Sequence, residues 1–336
     1  MLRMPSFEVH RPRTAEEAVR LVCELPSARF VAGGTDLLPN LKHHLESPAH
    51  LVALGGVEGL QGLDDTDDGW LAIGAGCSLH QVATDPTVAQ RLPALAVAAG
   101  CIAGPQHRRM GTLGGNVLLD TRCLFYNQTR AWREALGSCL KAEGSWCHVI
   151  GSAKGCVAAQ SSDTVPVLVA ADARLRLMVP GDGGAPAIEH LAIRALYGKD
   201  GRRDQMHQLR PGTLLCAIEI PPPHRGARSV YRKVRSRGAV DFPQLGVAAI
   251  GRFDDDGRCE QLAVVLGALL PRPTLLRGTD GLVGGRLDDE GIDAFAARAY
   301  KQARPQPQVH GEPGWRRTMV RVEVARALRD LRPSPP

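Results

Sequence analysis

Four cysteines, Cys123, Cys139, Cys147 and Cys156, follow one another as Cys-x15-Cys-x7-Cys-x8-Cys, with Gly137, Gly144, Gly151 and Gly155 supplying bends between them. Four thiolates on such an irregular loop can enclose a soft metal centre. Zinc ribbons and fingers usually bring their ligands in close pairs, roughly two to four residues apart, and no such pair occurs here, so structural zinc is disfavoured but stays open. An iron–sulfur cube tolerates wider spacing, because each of its four corners takes one thiolate. Buried, unligated thiols are the third reading. The remaining five of nine cysteines, Cys23, Cys77, Cys101, Cys216 and Cys259, stand singly in apolar or small-residue surroundings and read as packed thiols. An odd count in a chain without an export signal argues against a disulfide framework. His148, beside Cys147, reads as a hydrogen-bonding neighbour of the thiols.

Two glycine-rich turns offer a second kind of chemistry. Val31-Ala-Gly-Gly-Thr-Asp-Leu37 and Gly111-Thr-Leu-Gly-Gly-Asn116 present backbone N–H groups unobstructed by side chains, as close approach to a pyrophosphate requires. Either one alone is also an ordinary tight turn or hairpin. As a pair, each flanked by apolar segments, they favour a two-sided grip on a dinucleotide. The nicotinamide fingerprint is absent, since Gly74-Ala-Gly76 is followed by Cys-Ser-Leu and its third glycine is missing. Gly-x-Ser-x-Gly, the phosphate-binding Gly-x4-Gly-Lys-Ser/Thr and His-Glu-x-x-His are absent as well. Asp36, Asp163 and Asp241 are isolated carboxylates with a solvated turn as their default. The chain does not look self-sufficient for bond-making chemistry.

The elements that position these residues follow an α/β opening. Thr14-Ala-Glu-Glu17 forms a capping box before Ala18, Val19, Leu21 and Val22, which predicts a helix ahead of a short strand at Arg29-Phe-Val-Ala32. Strands are predicted at Leu51–Leu54, Trp70–Ile73, Arg174–Val179, Leu214–Ile220, Ser229–Lys233, Gly246–Ile250 and Gln261–Leu266, with a buried segment at Val165–Ala170. Helices are expected after Ser78, near Pro93 to Cys101, Ile292 to Arg304 and Trp315 to Leu331. The last is amphipathic and faces its own sheet or a partner chain. Pro221-Pro-Pro223 reads as a hinge.

With 336 residues, 44% of them hydrophobic and 23% charged, the chain can bury a substantial core, which excludes disorder and predicts two or three domains. No apolar run approaches the ~18 residues of a membrane span, and the expectation is a cytoplasmic protein without membrane association. The formal charge of +6 comes from scattered basic residues, and only 4% of residues are aromatic, which argues against a nucleic-acid partner.

Together these residues resemble the flavin-binding medium subunits of the molybdenum hydroxylases, the family of xanthine dehydrogenase and aerobic carbon monoxide dehydrogenase. The resemblance covers nearly the whole chain. It rests on Phe30-Val-Ala-Gly-Gly-Thr-Asp-Leu37, Arg109-Met-Gly-Thr-Leu-Gly-Gly-Asn116, Ser161-Ser-Asp-Thr164, Leu214-Leu-Cys-Ala-Ile-Glu-Ile220, Tyr231-Arg-Lys233 with Arg237 and Asp241-Phe242, and Arg272-Pro273, in that order. It implies an α+β fold: a two-part FAD-binding domain of the PCMH/vanillyl-alcohol-oxidase type, then a smaller C-terminal domain with an antiparallel sheet plus helices. The expected boundaries are 1–57 and 58–222 for the two FAD-binding parts and 223–336 for the last domain. The implied FAD contacts are Phe30, Val31, Ala32, Gly33, Gly34, Thr35, Asp36, Leu37, Met110, Gly111, Thr112, Gly114, Gly115, Asn116, Ser162, Asp163, Leu215 and Lys233. No catalytic residue is assigned, because the substrate site is expected on a partner chain.

The chain departs from ordinary members between the Gly-Gly-Asn turn and the Ser-Asp pair. Residues 121–160 intervene there, and they contain all four clustered cysteines. This stretch has few large aliphatic residues, so a metal centre supplies order that a hydrophobic core cannot. The insertion resembles that of the β subunits of 4-hydroxybenzoyl-CoA reductases, which implies that Cys123, Cys139, Cys147 and Cys156 hold a [4Fe-4S] cluster. The resemblance further implies an electron relay. A ferredoxin-like low-potential donor feeds the cluster and FAD, and a [2Fe-2S] subunit and a molybdenum-cofactor subunit complete the path in a heterooligomer, a dimer of heterotrimers. The implied reaction is dehydroxylation of 4-hydroxybenzoyl-CoA to benzoyl-CoA in anaerobic aromatic degradation. The rival readings are a related hydroxylase with an extra cluster and a non-redox scaffold binding zinc.

Overall fold

The apolar periods condense into three sheets. The computed structural model describes residues 2–181, 185–222 and 224–333. Strands β1 (Glu8–His10), β2 (Ala28–Val31) and β3 (His50–Ala53) form a parallel sheet in the order β1-β3-β2. Parallel neighbours need long connections, and helix Ala15–Glu24 supplies the one between β1 and β2. Its cap differs from the predicted box in one bond. Thr14 Oγ1 accepts from the Glu17 amide at 3.2 Å, but the Glu17 carboxylate takes the amide of Arg13, at 2.8 Å.

The second sheet is antiparallel, with strands β4 (Leu63–Asp65), β5 (Leu71–Gly74), β6 (Arg174–Val179), β7 (Ala187–Ala192) and β8 (Leu214–Ile220) in the order β4-β5-β8-β6-β7. Every residue of β8 is buried, which explains its unbroken apolar run. Its one charge, Glu219, is matched by Arg174 Nε at 2.5 Å. Short helices carry the chain from β5 to the second glycine-rich turn. Ser78 caps the first of them, Leu79–Thr84, in a complete capping box with Gln81. The segment at Val165–Ala170 proves to be a helix, Thr164–Ala170, with six of its seven residues buried. A short apolar run with buried surroundings does not distinguish strand from helix.

The third sheet holds β9 (Ala227–Val234), β10 (Leu245–Phe253), β11 (Cys259–Gly267) and β12 (Thr274–Leu275), in the order β12-β11-β10-β9. Helices Asp289–Gln302 and Pro313–Leu331 cover one face, and Val320, Val324, Leu328 and Leu331 share a core with Leu245, Val247 and Phe253. The final helix therefore packs on its own sheet. At its start Arg316 is fully buried and donates to the carbonyls of Gln244, Gln306 and Ala268 at 3.0, 3.0 and 2.6 Å; burial lowers its pKa to about 10. From the other face, Tyr231, Ala248 and Val265 join the core of the second sheet. The fold is α+β, as the sequence suggests. Of the proline hinge, Pro223 lies outside the described residues.

Candidate functional site

The two glycine-rich turns touch. A Cβ on Gly33 would fall 1.7 Å from the carbonyl oxygen of Met110, so only glycine allows the backbones this close, and Gly34 has a φ of +69°. The second turn is helical where a hairpin was an open alternative: Thr112 caps Leu113–Val117 and accepts from the Gly115 amide at 3.1 Å. A Cβ on Gly114 would lie 2.7 Å from that of Ala75, so this turn is seated directly against the end of β5.

Around the junction opens a cavity of about 880 Å³, near the upper end of the ~300–1,000 Å³ typical of ligand clefts. Sixteen of the eighteen sequence-derived contacts line it: Phe30 through Leu37, Met110, Gly111, Thr112, Gly114, Gly115, Asn116, Asp163 and Leu215. The other two stand behind the wall. Ser162 Oγ donates to Asn116 Oδ1 at 2.6 Å, and Thr164 Oγ1 donates to the same oxygen at 2.7 Å. The side chain of Asn116 is thereby fixed with its amide nitrogen left as donor. Ser161, one position earlier, lines the cleft instead.

Lys233 also acts from behind. Its ammonium, buried with the carboxylate it meets, lies 2.9 Å from Asp163 Oδ2, while Tyr231 Oη donates to Oδ1 at 2.7 Å. Burial pushes the Asp163 carboxyl up, and the Lys233 charge opposes that shift. Lys233→Met would leave Asp163 without its cation and is expected to cost about 3–5 kcal/mol of stability. Chemical denaturation measures this, and a loss under about 1 kcal/mol would show that Asp163 is protonated in the wild type.

Several cleft residues carry no signature in the sequence. Ser161 Oγ, Thr213 Oγ1 and Arg122 Nε are buried polar atoms without a protein partner, and all three residues line the cavity. Unpaired buried donors cost stability unless a ligand satisfies them, and these suit the carbonyl and ring-nitrogen acceptors of a flavin. Arg122 pairs with Asp36 of the first turn and lies 4.5 Å over the Phe242 ring. Burial lowers its pKa to about 10. His207 is held neutral by burial, with a pKa near 4.

The insertion closes at its base, where Arg122 and Ala159 exchange backbone hydrogen bonds of 2.7 and 2.8 Å. Beyond it the four sequence-derived cysteines line one small cavity, together with Phe125, Tyr126 and Val149. Cys123, Cys147 and Cys156 are buried and Cys139 is partly so. Backbone amides aim at three of the sulfurs: Phe125 and Tyr126 at Cys123, Ile150 at Cys147 at 3.5 Å, and Ala158 at Cys156 at 3.4 Å. Burial pushes the Cys156 thiol up to about 12, so a cation binding there must displace protons. His148 bonds the Gly137 carbonyl at 2.6 Å, a loop contact.

The sulfur spacing discriminates between metals. A single zinc at ~2.3 Å from four thiolates would set them ~3.8 Å apart. Among the described residues, no three of these sulfurs lie within 4.8 Å of one another. The donor set surrounds a larger core. One buried ion pair separates it from the cleft: Lys141 lines the thiol cavity, Asp120 lines the cleft, and they meet at 2.6 Å.

Cleft and sheets together define a protein that binds a flavin dinucleotide. A family model described as the FAD binding domain in molybdopterin dehydrogenase matches residues 5–223, and one for the CO dehydrogenase flavoprotein C-terminal domain matches 229–331. The chain is 33% identical to the aldehyde oxidoreductase FAD-binding subunit PaoB of Escherichia coli over 90% of its own length and 92% of that protein. It is 28% identical to the carbon monoxide dehydrogenase medium chain of Afipia carboxidovorans over 96% of both chains. The reconstituted CO dehydrogenase from Oligotropha carboxidovorans superimposes with a TM-score of 0.77 at 26% identity, covering 98% of this chain and 99% of that one. The chain belongs to the FAD-binding subunits of the molybdenum hydroxylases of the xanthine and CO dehydrogenase family. Among the described residues, no helix is long and apolar enough to cross a membrane.

Proposed function

We propose that this chain is an electron-transfer subunit in which FAD occupies the cleft and Cys123, Cys139, Cys147 and Cys156 hold a [4Fe-4S] cluster. The observation that carries the reading is four thiols around one cavity, spaced too widely for a single zinc ion. When bound, the cluster exchanges one electron and FAD one or two, so the pair joins single-electron and two-electron chemistry. The chain's own residues bind and insulate. Amides of Gly33 to Thr35 and Gly114 to Gly115 face the pyrophosphate, while Asn116, Ser161 and Thr213 offer hydrogen-bonding groups to the rest of the cofactor. Lys233 and Tyr231 hold Asp163 in the wall. Phe125, Tyr126 and Val149 keep water from the sulfurs, and Lys141 places a positive charge beside them.

The insertion supports a role in 4-hydroxybenzoyl-CoA reduction. Two electrons and two protons then remove the phenolic hydroxyl as water on a molybdenum-cofactor subunit, by way of a [2Fe-2S] subunit. A ferredoxin-like donor supplies the electrons, because displacing oxygen from an aromatic ring demands a low potential. A second reading, aldehyde oxidation with electrons leaving through this chain, is favoured by the 33% identity to the aldehyde oxidoreductase subunit.

The anaerobically purified complex tests both. This chain is expected to contribute FAD absorbance, a broad iron–sulfur band, and about four irons and four acid-labile sulfides. Zinc in place of that iron would reduce the insertion to a structural knot. Turnover of 4-hydroxybenzoyl-CoA with reduced ferredoxin, and none of aldehydes with an oxidising acceptor, is the expected outcome; the opposite pattern establishes the second reading.

A further inference from the structure

Far from both cavities in the sequence, the small parallel sheet gathers a third set of metal-ligating side chains. Glu8 on β1 stands opposite His50 on β3, and His10 follows two residues along, so all three side chains emerge on one face. His10 Nε2 and His50 Nδ1 lie 3.1 Å apart, and Glu8 Oε2 lies 3.6 Å from that same Nδ1. Among the described residues this is the one group of three or more His, Cys, Asp or Glu whose ligand atoms all fall within 4.8 Å of one another.

These separations match a specific polyhedron. Zinc–nitrogen and zinc–oxygen bonds of about 2.0–2.2 Å in a tetrahedron place neighbouring ligand atoms about 3.4 Å apart. The two measured separations straddle that edge. Two imidazoles and a carboxylate select zinc or a similar first-row divalent ion over magnesium or calcium, which prefer all-oxygen shells. We infer that Glu8, His10 and His50 form a zinc-class cation site with water in the fourth position. Glu8 is exposed and both imidazoles are partly so, which opens the site to solvent. No cleft surrounds the site, so its role is mechanical. β1 is an edge strand whose single neighbour is β3. An ion held by two side chains of β1 and one of β3 clamps that edge and fixes its register.

The test uses the intact complex, stripped with a chelator and titrated with Zn2+ against a chromophoric competitor, with iron assayed before and after. Wild type is expected to take up one zinc per chain without loss of iron, and to gain thermal stability on doing so. His10→Ala and His50→Asn should bind zinc at least tenfold more weakly and lose the thermal gain. Glu8→Gln, which disturbs the sheet least, should weaken binding while retaining FAD. Equal uptake by wild type and the His10→Ala/His50→Ala double variant, uptake only as iron leaves, or no uptake at micromolar zinc would each overturn the assignment.

Discussion

Gly33→Ala is expected to lower FAD affinity at least about 100-fold, to the point where the purified complex is largely free of flavin. The added methyl would sit 1.7 Å from the Met110 carbonyl oxygen and 2.5 Å from its carbon. These are backbone atoms, so relief comes only from parting the two turns. Overpacking a well-packed interior typically costs about 1–3 kcal/mol, and a clash with main chain belongs at the top of that range or above it. Since each ~1.4 kcal/mol is a factor of ten in affinity, the loss spans two decades. The flavin-to-protein absorbance ratio after gel filtration measures it. Gly115→Ala is the internal comparison, because its closest neighbour would be the Thr112 hydroxyl at 3.1 Å, which needs to move only a few tenths of an ångström. Full flavin occupancy in Gly33→Ala would mean that the turns do not meet at the cofactor.

Cys139→Ser is expected to remove the iron proposed for the insertion while FAD stays bound. Serine is a poor ligand for a soft iron–sulfur core, and Cys139 is the most accessible of the four cysteines. The pocket has little else to hold it. Its buried residues are Cys123, Tyr126, Cys156 and Ala158, so thiols make up half of the local core. Loss of the broad iron–sulfur absorbance and of about four irons per chain, with the flavin peak retained, is the predicted signature. Simultaneous loss of flavin would show that the insertion and the cleft fold as one unit. An unchanged iron content would remove Cys139 from the ligand set.

Much of this was legible in the sequence because glycine and cysteine report their tasks locally. Gly33 and Gly114 stand where a side chain would strike the neighbouring backbone or Ala75, and the four cysteines are concentrated in a stretch poor in aliphatic residues. Residues that act through a partner were harder to place. Ser162 and Lys233 belong to recognisable motifs, yet each touches a cleft residue and not the cleft, a distinction set by rotamer and packing. Arg122, His207 and Thr213 line the cavity from loops whose positions depend on tertiary contacts, and no spacing rule marks them. The short edge strands β1 and β4 escaped notice because three residues are too few to establish an alternation.

The paired backbone bonds between Arg122 and Ala159 have an evolutionary corollary. They bring the two ends of the excursion side by side, so a tight loop joining the same two residues would leave the walls on either side nearly undisturbed. A neck of this kind lets a lineage acquire, discard or exchange the intervening polypeptide as a cassette. Electron-handling capacity can then be added to an older flavoprotein scaffold without redesigning it.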